Sequence, residues 1–262
     1  MTICVITVPE MGLCNRMKGV LSGMRLSQIT GHTLGLMWPV GPSVTCQFED
    51  LFDMQLEHLT SPDGCLPIQT WRFWVSKDEI PTGWAKAYPC PEFDGRAIDL
   101  EYNRIPQPVR AAYLQQIARL RPRQEIVQRA ERITDGEFVS VHVRDGIDWK
   151  SWGRSVPLEG FFSAMDSLPQ ITRFFVSAQT PETLAILSDR YPGRVIQQED
   201  KQSSSDGVRH MQNALVDLLC LSRGSELIGT FGSTFTEMAW WFGQCTQRVT
   251  IISGDQSGFR WF

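Results

Sequence analysis

The stretch Glu226-Leu227-Ile228-Gly229-Thr230-Phe231-Gly232-Ser233-Thr234-Phe235-Thr236-Glu237-Met238-Ala239 changes its hydrophobic period midway. An apolar run enters a small-residue turn, and a helical pattern opens at Ser233 or Thr234, so the segment reads as strand, turn and helix. Its counterpart, Glu137-Phe138-Val139-Ser140-Val141-His142-Val143-Arg144-Asp145-Gly146, reads as a β-branched strand delivering His142 and Arg144 into a glycine-bearing loop. Both suit an anion. A guanidinium presents a fixed fork of donors, and a helix start presents unpaired N–H groups and a positive dipole end. Together they point to a diphosphate leaving group.

Working outward, the second half alternates regularly. Strand 137–143 is followed by helix 158–168, which carries Leu158, Phe161, Phe162, Met165 and Leu168 on one face. Strand 172–177, helix 181–190 and strand 194–197 come next, then a polar loop from Glu199 to Asp206 and helix 211–222. Strand 226–229, helix 234–243 and strand 248–252 complete a doubly wound β/α lobe. Upstream, Met1 to Pro9 reads as a buried strand and Glu10 to Arg16 as a turn. Met17, Val20, Leu21 and Met24 then recur at helical spacing until Gly31, and Thr33 to Trp38 forms a second strand. That βαβ unit demands a parallel sheet. Residues 39–106 read as a loop-rich insertion, with a strand at Trp71–Val75 and a short helix at Phe48–Phe52. Trp71, Trp74 and Trp84 are either core packing or stacking surfaces for a sugar. Helical character returns from Pro108 to Ile133, split at Pro122. The expected lobes are residues 1–135 and 136–262.

The bulk properties narrow the function classes. A formal charge of -4 offers no general attraction to nucleic acid, and 42% hydrophobic residues is ordinary for a globular chain of 262. Seven cysteines without a CxxC pair fit reduced cytosolic thiols better than a disulfide framework or a zinc site, so no metal is expected and the localisation expected is cytoplasmic. The apolar N-terminal run lacks a basic flank and is too short to span a bilayer, so no membrane partner is expected.

Each candidate site residue carries a structural alternative. In Gly12-Leu13-Cys14-Asn15-Arg16, Asn15 is placed to cap the following helix so that its N-terminus faces an anion, or the turn is ordinary strand-to-helix chemistry. The second and third glycines of a dinucleotide fingerprint are missing. His142 and Arg144, two apart on a strand, emerge on one side of the sheet edge as ligand contacts, or form a core histidine with a structural arginine. Asp217 sits mid-helix among apolar residues, where it either meets the paired N–H donors of a guanine or joins Asn213 on an exposed polar face. Thr234 and Glu237 have the spacing of a capping box beside a phosphate cradle.

In their order and spacing, the Gly-Leu-x-Asn-Arg turn at 12–16, the His-x-Arg at 142–144 and the Gly-Ser-Thr-Phe-Thr-Glu-Met-Ala segment at 232–239 resemble the fucosyltransferase superfamily of GT-B fold. The resemblance spans nearly the whole chain. It implies an α/β fold of two Rossmann-like lobes with a central cleft, and inverting, metal-independent transfer of fucose from GDP-fucose to a glycan hydroxyl. By the same resemblance, Arg144 holds the β-phosphate, His142 sits near the nucleotide and Asp217 binds guanine. Ser233, Thr234 and Phe235 line the pocket, while Asn15 and Arg16 approach the diphosphate from the other lobe. Asp148 is the first choice for the base that takes the acceptor's proton, and Asp145 the second. The implied partners are a nucleotide sugar, which is the donor substrate and not a cofactor, and a glycan acceptor. One departure stands out: many relatives carry a second arginine after the motif arginine, where this chain has Asp145. A non-catalytic nucleotide- or glycan-binding module of the same fold is the competing expectation. Without a Walker A string, a phosphotransferase ranks third.

Overall fold

The computed structural model describes residues 1–68, 107–146, 156–199, 207–252 and 259–260. Two compact units make up the chain, Met1–Gln124 with Ser204–Gln212, and Glu125–Ser203 with Asn213–Phe262. The segment Trp71–Val75, together with Trp84, lies outside the described residues.

In the first unit, β1 (Thr2–Ile6), α1 (Leu13–Thr30) and β2 (Thr33–Met37) form the expected βαβ element, with β1 and β2 parallel. Two short strands that the sequence pattern did not reveal, β3 (Glu57–His58) and β4 (Leu66–Ile68), complete a sheet of order β3-β2-β1-β4. Along α1, Met17, Val20, Leu21 and Met24 are buried against the sheet side, and the helix stops at Gly31, whose φ of 70° is the left-handed cap that glycine adopts without a Cβ penalty. The expected short helix after Gln47 is a single 3-10 turn, Phe48–Asp50. Pro122 separates α2 (Gln107–Arg119) from α3 (Gln124–Ile133) as expected. Tyr113 of α2 meets Ser22 of α1 through its hydroxyl at 3.5 Å, with the Arg25 guanidinium 5.1 Å over its ring.

The break between units falls at Gln124/Glu125, ahead of the expected 135/136. Most of α3 therefore belongs to the second unit, and its side chains give the reason. Arg129 donates to Gln198 and Asn213, Arg223 reaches Glu131 and Thr134, and the Cys220 thiol donates to the Ala130 carbonyl at 3.8 Å. None of those bonds is visible from the turn at Thr134–Gly136 that suggested the later boundary.

The second unit continues with β5 (Val139–Val143), α4 (Leu158–Asp166), β6 (Phe174–Ala178), α5 (Pro181–Arg190) and β7 (Val195–Ile196). It then runs through α6 (Gly207–Leu221), β8 (Glu226–Thr230), α7 (Thr234–Phe242), β9 (Arg248–Ile252) and β10 (Phe259–Arg260). Residues 207–212 of α6 are counted with the first unit. Strand order is β10-β9-β8-β5-β6-β7, parallel throughout except for β10. The period-2 alternation of β5 assigns its faces. Val139, Val141 and Val143 join Phe161 and Met165 of α4 and Leu187 of α5 in one core cluster. Ser140 and His142 face the other way, where Ser140 donates to Leu221 of α6 and His142 pairs with Thr236 of α7.

This strand order contains a switch point. From β5 the chain steps outward to β6 and β7, then returns through α6 to lay β8 on the opposite side of β5. Loops leaving the carboxyl ends of two such neighbouring strands diverge, which opens the crevice where α/β sheets bind ligands. Among the described residues, no helix is long and apolar enough to cross a membrane.

Candidate functional site

The loop after β5 begins with Arg144, and the loop after β8 leads through Phe231, Gly232 and Ser233 into α7. A single hydroxyl ties the two together. Thr230, the last residue of β8, donates to the His142 carbonyl at 3.0 Å and accepts from the Arg144 N–H at 2.9 Å. Side chains make the same link one step deeper. The His142 ring is 6% exposed, lies 2.7 Å through Nδ1 from Thr236 Oγ1 and stacks on Phe235 with centroids 5.0 Å apart. Thr236 also accepts the Thr230 N–H at 3.3 Å. Thr230 and Thr236, neither singled out from the sequence, are thus the residues that join the β5 edge to the start of α7.

Ser233 is the N-cap of α7, with φ -86° and ψ 114°, and no side-chain hydroxyl caps the helix. This corrects the expected capping box: Thr234 is the first helical residue, so it is too late to reach back over the open N–H groups. The Ser233 Oγ is buried in a residue 5% exposed, yet has no hydrogen-bond partner among the described residues. A buried hydroxyl at an uncapped helix start has unmet hydrogen-bonding capacity, the condition under which such a terminus takes an anion.

Asp145 resolves the departure noted in the sequence. Its Oδ2 accepts from Thr180 Oγ1 at 2.7 Å and from Thr183 Oγ1, which turns the carboxylate toward the start of α5. Its Oδ1 is buried and has no hydrogen-bond partner among the described residues. Asp148, Trp149 and Trp152 lie outside the described residues.

The structure excludes one of the two sequence readings of Asp217. It is 2% exposed, which excludes the solvated polar face shared with Asn213. Ser177 donates to Oδ2 at 2.7 Å and Gln198 to Oδ1 at 3.0 Å, and Gln198 and Asn213 are both joined to Arg129. Each carboxylate oxygen therefore already holds an internal donor. The helix pattern could not disclose this, because the partners stand 40 and 19 residues away in sequence.

Two expectations from the first unit change on the same grounds. Asn15 does not cap α1, because the N-cap is Gly12 and the helix already starts at Leu13. Arg16 is 0% exposed, and its guanidinium donates to the carbonyls of Met11, Pro39 and Pro9 at 2.9, 2.7 and 3.3 Å while lying 5.0 Å over the Trp38 ring. It braces the loops that follow β1 and β2, and no donor-rich edge is left facing solvent. Burial holds its pKa below the ordinary arginine value. Nearby, burial pushes the Cys46 thiol up to about 12, so this buried cysteine is a packed thiol without nucleophilic character.

No family model and no curated protein matches the sequence. Solved structures do. A NodZ alpha-1,6-fucosyltransferase co-crystallized with GDP superimposes with a TM-score of 0.59 at 18% identity over 95% of this chain and 94% of that one. Fucosyltransferase NodZ from Bradyrhizobium gives 0.59 at 17% identity over 98% and 97%. POFUT1 in complex with GDP-fucose gives 0.58 at 12% identity over 96% of each chain. The chain has a GT-B fucosyltransferase-like fold. At these identities the likeness carries the fold, and the chemistry has to be argued from the β5/β8 switch point.

Proposed function

We propose that the chain is a glycosyltransferase that moves fucose from GDP-fucose to a glycan hydroxyl with inversion. The observation that carries this reading is the joining of Arg144 and the uncapped start of α7 through Thr230 at a sheet switch point, beside the His142–Phe235 stack. A diphosphate leaving group develops negative charge as the sugar departs, and a fixed guanidinium with a helix N-terminus stabilises that charge without reorganising. Arg144 and the Ser233–Thr234 amides act on the phosphates in this reading, and Phe235 with His142 lines the nucleotide. Since those groups neutralise the leaving group, activity is expected to survive a chelator. Asp148 takes the acceptor proton, and Asp217 acts on the base only through the network that holds it. The structural neighbours support the donor class: NodZ alpha-1,6-fucosyltransferase was co-crystallized with GDP and soaked with GDP-fucose, and POFUT1 is in complex with GDP-fucose. A cytoplasmic setting is proposed from the buried free thiols Cys4, Cys14, Cys46 and Cys220.

A thermal-shift panel of GDP, UDP, ADP and their sugar conjugates, followed by a glycan-acceptor screen with GDP-fucose, tests the proposal. Selective stabilisation by guanine nucleotides and transfer to an acceptor support it. Equal indifference to all nucleotides at millimolar concentration would sink it, and guanine binding without turnover on any glycan would favour a non-catalytic module.

A further inference from the structure

We propose that Asp145 is a positioning residue, latching the Arg144 loop onto the start of α5 so that Arg144 is presented to the diphosphate in one backbone conformation. The inference rests on the nucleotide-sugar reading above and adds a device that the residue type alone argued against. Next to a cation meant for a diphosphate, an anion weakens binding if it faces the ligand. Here one oxygen, Oδ2, is committed to the start of α5. Oδ2 takes the hydroxyls of Thr180 and Thr183, and Thr180 is itself the N-cap of α5, accepting the Thr183 N–H at 3.4 Å. A carboxylate at a helix start is favoured by the dipole, and hydroxyl donors to a charged acceptor make the stronger class of hydrogen bond.

Two further bonds close the latch on either side. The Gly146 N–H donates to Gln179 Oε1 at 3.1 Å, and the Gln179 N–H donates to the Val143 carbonyl at 3.1 Å. Residues 143, 145 and 146 are therefore all held to the segment 179–183, while the Arg144 N–H is held from the opposite side by Thr230. Arg144 sits between two anchors, one on β8 and one at α5. Removing the Asp145 anchor leaves the arginine charged and present but loosens the α5 side of its loop, where only the Gln179 bonds remain, so part of the ordering has to be supplied when the ligand binds.

The test is calorimetric titration of GDP into the full chain and into Asp145→Ala, Asp145→Asn, Thr183→Val and the Asp145→Ala/Thr183→Val double variant. The latch predicts that Asp145→Ala and Thr183→Val each weaken GDP about tenfold, and that the double variant is no weaker than Asp145→Ala, because both remove one interaction. Asp145→Asn, which keeps an acceptor oxygen but not the charge, recovers part of the loss. Melting temperatures that fall while the GDP affinity of Asp145→Ala stays within about twofold of wild type, or losses that add in the double variant, overturn the latch and leave Asp145 a structural cap. Should Asp145→Ala not fold, an unchanged GDP affinity in Thr183→Val overturns it equally. Wild-type protein that does not bind GDP overturns the nucleotide reading itself, an outcome distinct from both.

Discussion

Replacing Gly229 by alanine sets a methyl carbon 2.1 Å from Thr236 Cγ2, 2.8 Å from its Oγ1 and 3.1 Å from its Cβ. All three atoms belong to one β-branched side chain in the first turn of α7, so no flexible tip can move aside. Either α7 shifts off the sheet or Thr236 rotates. Rotation gives up the 2.7 Å contact with His142 and the 3.3 Å bond from the Thr230 N–H. Overpacking of this kind costs about 1–3 kcal/mol, and two lost buried hydrogen bonds add about 1 kcal/mol each, for a sum of about 3–5 kcal/mol. For a chain of this size that corresponds to a fall in Tm of about 6–20 °C, read by calorimetry or circular dichroism. Because Thr236 orients His142, GDP affinity is expected to fall in parallel. Adding Thr236→Ser removes the methyl at 2.1 Å while keeping the hydroxyl, so the double variant recovers part of both losses. A single variant melting within about 1 °C of wild type, or a double variant worse than the single one, would refute the packing argument.

Further outcomes follow from the same contacts. Arg16→Ala strands three carbonyls and empties a fully buried position, so urea denaturation should register a loss of about 3–5 kcal/mol. Asp217→Asn can keep the Gln198 donor on its oxygen and turn its N–H₂ to the Ser177 hydroxyl, which can accept, so what is lost is the charge on the acceptor, an expected cost of about 1 kcal/mol by the same assay. Hydrogen bonds from Arg190 and then Tyr191 hold the Asp166 carboxyl below its ordinary range. Its folded-state pKa being depressed, the stabilisation is present above the unfolded value of about 4 and is lost as pH falls through the folded value. Acid titration of Asp166→Asn should therefore show a shallower loss of stability in that window than wild type does.

Much of the second unit was legible because its elements are local. Helix α5 carries its own signals, Thr180 as cap and Pro181 at the first position, and its observed span is the expected one. Strand β9 was likewise read in full from its β-branched run, and β5 and β8 were located to within two residues. Strands β3 and β4, two and three residues long, are too short to display a period of 2 and exist only by pairing with β2 and β1. The candidate site divides the same way. His142, Arg144 and the Ser233 turn were visible as a strand end and a helix start, whereas their junction through Thr230 and Thr236 depends on contacts 86 and 94 residues apart. Arg16 looked like a ligand contact because nothing in a turn motif announces that the Pro39 carbonyl, 23 residues on, will receive its guanidinium.

The central claim is that Arg144 and the opening of α7 act on one diphosphate, and comparison of GDP with GMP by calorimetry in wild type and Arg144→Ala addresses it most directly. Wild type is expected to bind GDP at least about a hundredfold more tightly than GMP, and Arg144→Ala to lose about a hundredfold for GDP with little further loss for GMP, the equivalent of one charge-assisted contact to the terminal phosphate. Equal affinity of wild type for the two nucleotides, or a GDP affinity untouched by Arg144→Ala, would contradict it.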